Sequence, residues 1–254
     1  MVTLSSLLEA RIAADPSSPL VTYYDRTTGE RTELSGTTFA NWVAKTANLL
    51  RDDFDVHDGS VVALALPMHW QQLVLAFATW SLGGCVSESP AGSPDVLVMS
   101  ADRMMELADA DAGELMVSSL DPMGRALEPR PDHITDYTSA VRVHPDAFSG
   151  APVGAGDPAY TGGSLALDHA HAASSALALA SSLGISPGAR VLVTVGSAGE
   201  AGLLAWAAAP LVTGASLVLV RAGDDVDGPH WLERVAEQEA VTFRLGPDLP
   251  ARRQ

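Results

Sequence analysis

Between Ala159 and His171 the sequence reads AYTGGSLALDHAH, and Thr161, Gly162, Gly163 and Ser164 have the residue types of a phosphate-binding turn. In such a turn, glycines let backbone N–H groups converge on anionic oxygens where a strand meets a helix N-terminus. A lysine then neutralises charge that amides cannot. Here Leu165 follows Ser164 directly, no lysine is near, and Asp168 places a negative charge close to the expected helix start. Two readings stay open. One is a tight strand–helix turn that needs glycine for positive φ; the other is a residual anion site on Thr161, Gly162, Gly163 and Ser164.

A second constellation lies in RVLVTVGSAGEAGLLAW, where a strand pattern runs into Gly196, Gly199 and Gly202 and then a helix pattern. That is the order of a dinucleotide fingerprint, with Asp224 and Asp225 after SLVLV as candidate ribose ligands. The spacing is not G-x-G-x-x-G, and Glu200 would face the pyrophosphate. Close helix–sheet packing explains these glycines more simply.

The other reactive residue types offer less. His169 and His171, two apart on a helix, point to different faces and cannot share a metal. Ser164, Asp168 and His169 are too contiguous for a triad, whose members converge from separate loops. Cys85, the single cysteine, reads as a small buried apolar residue and excludes an internal disulfide. The acidic runs RDDFDVHD and AGDDVDG read as solvated loops, with Asp224, Asp225 and Asp227 as a weak calcium candidate. Lys45 is the sole lysine, so any lysine-dependent chemistry within the chain has one candidate.

The elements that position these groups alternate between strand and helix. SSLLEARIAADP predicts a helix and LVTYYDRTTGERTEL a hairpin. SGTTFANWVAKTANLLRDDF predicts an amphipathic helix with Phe39, Trp42, Val43, Thr46 and Leu50 on one face and Thr37 or Thr38 as N-cap. VVALALP is a continuous apolar run of the kind buried on both faces of a parallel sheet. The helix pattern HWQQLVLAFATWSLGG follows it, then CVSESP, DVLVMS and ELMVSS as short strands. Leu120 to Pro158 is polar and proline-rich, a surface loop with a helix around 132–140. RVLVTV, SLVLV and VTFRLG are the late strands. The alternation argues for βαβ units.

With 254 residues, 47% hydrophobic and 18% charged, the chain can bury a sizeable core. Its formal charge of -16 opposes nonspecific binding to nucleic acid or anionic lipid. The apolar stretch 201–220 is long enough to span a bilayer, but Pro210 and Gly214 divide it into a helix half and a strand half. The N-terminal residues lack a basic leader and a long apolar run. A cytoplasmic protein with no membrane segment is expected.

Several pieces, in order, resemble a known family. LLEARIAADPSSPLV, TELSGTTFANWVAKTANLL, VHDGSVVALALPMHWQQLVLAFATWSLGG, AYTGGS, LALDHAHAA and GISPGARVLVTV follow the register of adenylate-forming enzymes. These are the acyl-CoA synthetases, luciferases and peptide-synthetase adenylation domains. The resemblance covers their N-terminal part, from Leu7 to about Arg252. It implies an α/β fold of two stacked subdomains in αβαβα layers without the family's C-terminal lid. One subdomain would combine 1–57 with 183–254, so that the early hairpin joins the late strands; the other would span 58–182.

The family's phosphate loop reads roughly T-S-G-(S/T)-T-G-x-P-K-G. Thr161, Gly162, Gly163 and Ser164 match its beginning, with glycine in place of the first serine, and the remainder is absent. The resemblance therefore implies a truncated relative, catalytically incompetent alone, that acts as a binding or interaction module. The alternatives are a nucleotide-dependent ligase or transferase completed by a partner chain, and a dinucleotide-binding α/β protein. No residue is assigned a catalytic or metal-binding role. No cofactor is expected beyond weak ATP or AMP binding. The expected partner is a second copy, paired through the edge strand VTFRLG, or another protein.

Overall fold

The computed structural model describes residues 2–222 and 228–246. Helix α1 (Leu4–Ala14) leads to the hairpin of β1 (Pro19–Asp25) and β2 (Glu30–Ser35), and helix α2 (Gly36–Phe54) follows. Next come β3 (Val61–Ala65), α3 (Trp70–Ser81), β4 (Cys85–Ser87) and β5 (Val96–Ser100). Short helix α4 (Met104–Leu107), β6 (Glu114–Ser118), β7 (Ile134–Asp136) and single-turn α5 (Tyr137–Ala140) complete the middle of the chain. Strands β8 (Pro158–Gly162) and β9 (Leu165–Asp168) precede α6 (His169–Leu183). The late elements are β10 (Arg190–Thr194), α7 (Val195–Ala201), α8 (Ala209–Thr213), β11 (Ser216–Arg221), α9 (Gly228–Gln238) and β12 (Phe243–Leu245).

Two compact units result: one built from Ala40–Ala173 with the first residues of the chain, the other from Leu7–Phe39 with residues from Ser174 onward. The first carries a seven-stranded sheet in the order β7-β6-β5-β3-β4-β8-β9, parallel except for β9. Its inner strands are continuous apolar runs, which suits burial on both faces. Ala63, Ala65, Leu97, Met99, Leu115, Val117 and Ile134 pack against Leu107 of α4 on one face. Every residue of α3 from Trp70 to Trp80 is buried, as expected of a helix that is apolar nearly all round. The Trp80 indole donates to the Ala159 carbonyl at 2.8 Å and ties α3 to β8.

The second unit carries the order β12-β10-β11-β1-β2. The early hairpin does join the late strands: β1 runs parallel to β11, from Val21 opposite Leu217 to Asp25 opposite Arg221. The apolar stretch 201–220 divides where expected. Pro210 has no N–H, and the turn just before it, Leu204–Ala208, widens to a π-helix. Gly214, at φ 99, ends α8 in the left-handed region.

Three local expectations are corrected. Ser35, not Thr37 or Thr38, caps α2: its hydroxyl accepts the Thr38 N–H at 3.2 Å, while Thr37 bonds the Pro16 carbonyl. The helix expected over 132–140 is half strand: Ile134 is buried and pairs opposite Leu115, and Asp136 caps only the single turn α5 through the Ser139 N–H. LALD is strand β9 rather than the start of a helix.

Helix α9 is locked to the second sheet by charge as well as by Leu232, Val235 and Ala236. The Glu239 carboxylate, 7% exposed, accepts from the Tyr24 hydroxyl at 2.6 Å, Arg190 at 2.7 Å and Arg31 at 3.0 Å. Burial pushes its pKa up, but the bonds from Tyr24, Arg190 and Arg31 outweigh it and hold the carboxyl below the usual range. Arg190 also bonds Thr22 and the Leu217 carbonyl, so one guanidinium joins three strands. Removing the carboxylate strands a buried cation. Glu239→Ala is expected to lower the unfolding free energy by about 3 kcal/mol in urea titration; a loss under about 1 kcal/mol would show that the network is only a surface feature.

Candidate functional site

The chemistry-bearing stretch is a hairpin. Strand β8 pairs antiparallel with β9, with Thr161 opposite Ala166 and Gly162 opposite Leu165. Gly163 and Ser164 alone make the turn. Gly163 has φ 56 and open space around it, as a glycine in the first position of a tight hairpin turn requires. The helix does not begin at Ser164: four residues of strand intervene, about 13 Å of chain. A phosphate cradle combines a glycine turn with a helix N-terminus, and here the two are apart.

The first turn of α6 is already occupied by protein acceptors. The His169 N–H donates to the Asp157 carbonyl at 3.1 Å and the Ala170 N–H to the Ala155 carbonyl at 3.0 Å. The His171 N–H donates to Asp168 Oδ1 at 2.7 Å, and the His171 ring meets Asp168 Oδ2 at 2.8 Å. These bonds hold the Asp168 carboxyl below its usual range. An anion approaching α6 meets a carboxylate in the capping position rather than free amides.

Two further groups stand over β8. A side chain on Gly162 would strike the Tyr160 phenol and come within 2.9 Å of Glu88 Oε2. Gly162 is thus needed for close approach of Tyr160 and Glu88, and the Glu88 carboxylate adds negative charge beside the turn. Neither residue stood out in the sequence. The signal available was the i, i+2 relation of Tyr160 to Gly162 on one strand face; Glu88 arrives through pairing of β4 with β8 and has no local signal.

The remaining candidates resolve separately. Lys45 Nζ donates to the His144 carbonyl at 2.6 Å, holding a loop to α2. Cys85 is buried; burial pushes its thiol pKa up, against a bond from Thr161. Gly196 and Gly199 lie inside α7, where an added Cβ would meet nothing within 4 Å, so close packing is not their reason. Thr194 and Ser197 form a capping box at that helix start in place of a glycine loop. Gly202, at φ 73, ends the helix. Asp224, Asp225 and Asp227 lie outside the described residues. Among the described residues no group of three or more His, Cys, Asp or Glu could hold a metal ion, and no helix is long and apolar enough to cross a membrane.

No family model matches the sequence. A protein of Mycobacterium tuberculosis described as a TIGR03089 family protein is 42% identical over 248 residues, covering 94% of this chain and 97% of the relative. The chain belongs to the TIGR03089 family. Among solved structures, a Brucella canis acyl-CoA synthetase superposes with a TM-score of 0.77 at 17% identity, over 96% of this chain and 47% of that one. An anthranilate CoA ligase in complex with anthranoyl-AMP gives 0.73 at 15%, over 96% and 49%. A coronafacic acid ligase from Pectobacterium brasiliense gives 0.72 at 12%, over 96% and 50%. This family member therefore has the fold of the N-terminal part of adenylate-forming enzymes, and spans about half the length of those ligases.

His169 generates a prediction of its own. It is fully buried at the start of α6. Burial lowers its pKa below the ordinary 6.5, against the Gly83 backbone and the carboxylates of Asp157, Asp168 and Asp58. The folded state thus keeps a neutral ring while the unfolded state takes the proton first. This contribution is complete above 6.5 and is lost as pH falls below it. From about pH 7.5 to about pH 5.5 the wild type should lose on the order of 1 kcal/mol more than His169→Leu in urea titration. Parallel losses in the two proteins would place the ring in water instead.

Proposed function

We propose that this chain is a catalytically incompetent relative of the adenylate-forming enzymes that serves as a binding or interaction module. The observation that carries the reading is the closed phosphate turn: two residues reverse the chain, and the first-turn amides of α6 already have protein acceptors. In-line attack on a nucleotide phosphate needs clamping positive charge around the transferring group. Glu88 and Asp168 instead put carboxylates beside the corresponding place, and Lys45 is held on α2 by the His144 carbonyl. Thr161, Gly162, Gly163 and Ser164 retain at most a weak contact with ATP or AMP. The single buried cysteine suits a reducing, cytoplasmic setting.

The partner of such a module is a second copy of this chain or another protein. β12 is the outermost strand of its sheet and carries Phe243 half-buried, which supports an edge-pairing mode. Carboxylate-dependent pyrophosphate exchange over a broad acid panel tests the catalytic half of the reading. No exchange above the protein-free blank is expected; exchange that disappears in Gly163→Asp would overturn it.

A further inference from the structure

In the second unit a cavity of about 370 Å³ lies at the amino ends of β1, β10 and β11. That volume falls within the range of small-molecule sites, about 300–1,000 Å³. Arg190 starts β10 in register with Ser216, which starts β11, so both line the sheet face that α9 covers. Arg11, in the last turn of α1, and Asp15 just after that helix form a second wall. Gln238 and Glu239, at the end of α9, form a third. Small-molecule sites are mostly apolar, whereas these six side chains are all polar.

The walls keep donors and acceptors that the fold does not use. Arg11 donates through Nε to the Gly214 carbonyl at 3.2 Å and through Nη1 to the Asp15 carbonyl at 3.4 Å. Its Nη2 has no hydrogen-bond partner among the described residues. Arg190 engages Leu217, Thr22 and Glu239 through Nη1 and Nη2, and its Nε–H likewise has no partner among the described residues. Gln238 donates to the Tyr24 hydroxyl through Nε2 at 3.2 Å, which leaves Oε1 to accept.

We propose that this cavity binds an uncharged polyol of monosaccharide size. Its formal charges cancel, with the guanidiniums of Arg11 and Arg190 against the carboxylates of Asp15 and Glu239. An entering ion would therefore lose hydration without a net counter-charge. The C-terminal ends of α1 and α9 both stop here and oppose an anion further, as does the formal charge of -16 on the chain. A hydroxyl both donates and accepts, so it can meet a guanidinium N–H and the Gln238 carbonyl alike. The protein bonds on Arg11 and Arg190 hold two planar donors in place, and groups fixed in advance lose little freedom on binding neighbouring hydroxyls of a ring.

The test is a titration of the isotope-labelled full chain with glucose, following the assigned arginine Nε–H signals by NMR. Glucose should move those of Arg11 and Arg190 saturably. Glucuronate and glucosamine, the same ring with a negative or a positive charge, should bind about fivefold more weakly. Gln238→Leu should weaken glucose about fivefold at an unchanged thermal midpoint, since Tyr24 keeps its bonds to Glu239 and Arg31. Arg11→Gln should do the same, since the Gly214 carbonyl keeps the Gly188 N–H. Maltose distinguishes two sources of such a ring: affinity equal to glucose's supports the end of a longer glycan, weaker affinity a free monosaccharide, and the site stands in both cases. Equal or tighter binding of either charged sugar would overturn the proposal, as would unchanged glucose affinity in both folded variants. Signals unmoved up to about 100 mM glucose would mean a water-filled cavity only, and would sink the proposal on the unmodified protein without any variant.

Discussion

The pairing of Pro158–Gly162 with Leu165–Asp168 leaves Gly163 and Ser164 alone to reverse the chain. Antiparallel pairing uses backbone N–H groups for the ladder, whereas a phosphate loop must leave several unpaired and convergent. A two-residue turn cannot meet both demands. Everything around the hairpin agrees with the first. Tyr160 and Glu88 close over Gly162, Asp168 caps α6, and the carbonyls of residues 155 and 157 take the amides that an anion would have used. The turn between β8 and β9 is thus enclosed by protein groups.

The second unit depends on a different constraint, the buried carboxylate of Glu239. A lone buried charge is untenable, so its three donors must be in place together. Tyr24 and Arg31 come from the early hairpin and Arg190 from a late strand. The network therefore joins parts of the chain far apart in sequence, and gives the parallel β1–β11 pairing a polar complement to its apolar core.

The elements most legible in the sequence were those whose burial is continuous. VVALALP, DVLVMS, RVLVTV and SLVLV read as inner parallel strands because no polar residue interrupts them. The position of the early hairpin beside the late strands followed from family resemblance, since hairpin text alone does not name a neighbour. β9 was illegible because LALD, half exposed and running into HAHAA, has the text of a helix start. β7 is three residues long with a single buried apolar one, Ile134, whose partner Leu115 is nineteen positions away; the other buried residue, Asp136, is polar. The candidate turn was found through its glycines, but what fills it was not. Glu88 and the Asp157 carbonyl act through tertiary placement, and no spacing encodes that.

The claim that the phosphate turn is closed is tested most directly by calorimetric titration of the full chain with magnesium ATP. The account predicts no saturable heat up to about 1 mM nucleotide, the range of a contact worth only about 4 kcal/mol. Saturable binding with a micromolar Kd, abolished by Gly163→Asp, would mean that the hairpin opens to form a cradle, and would contradict it.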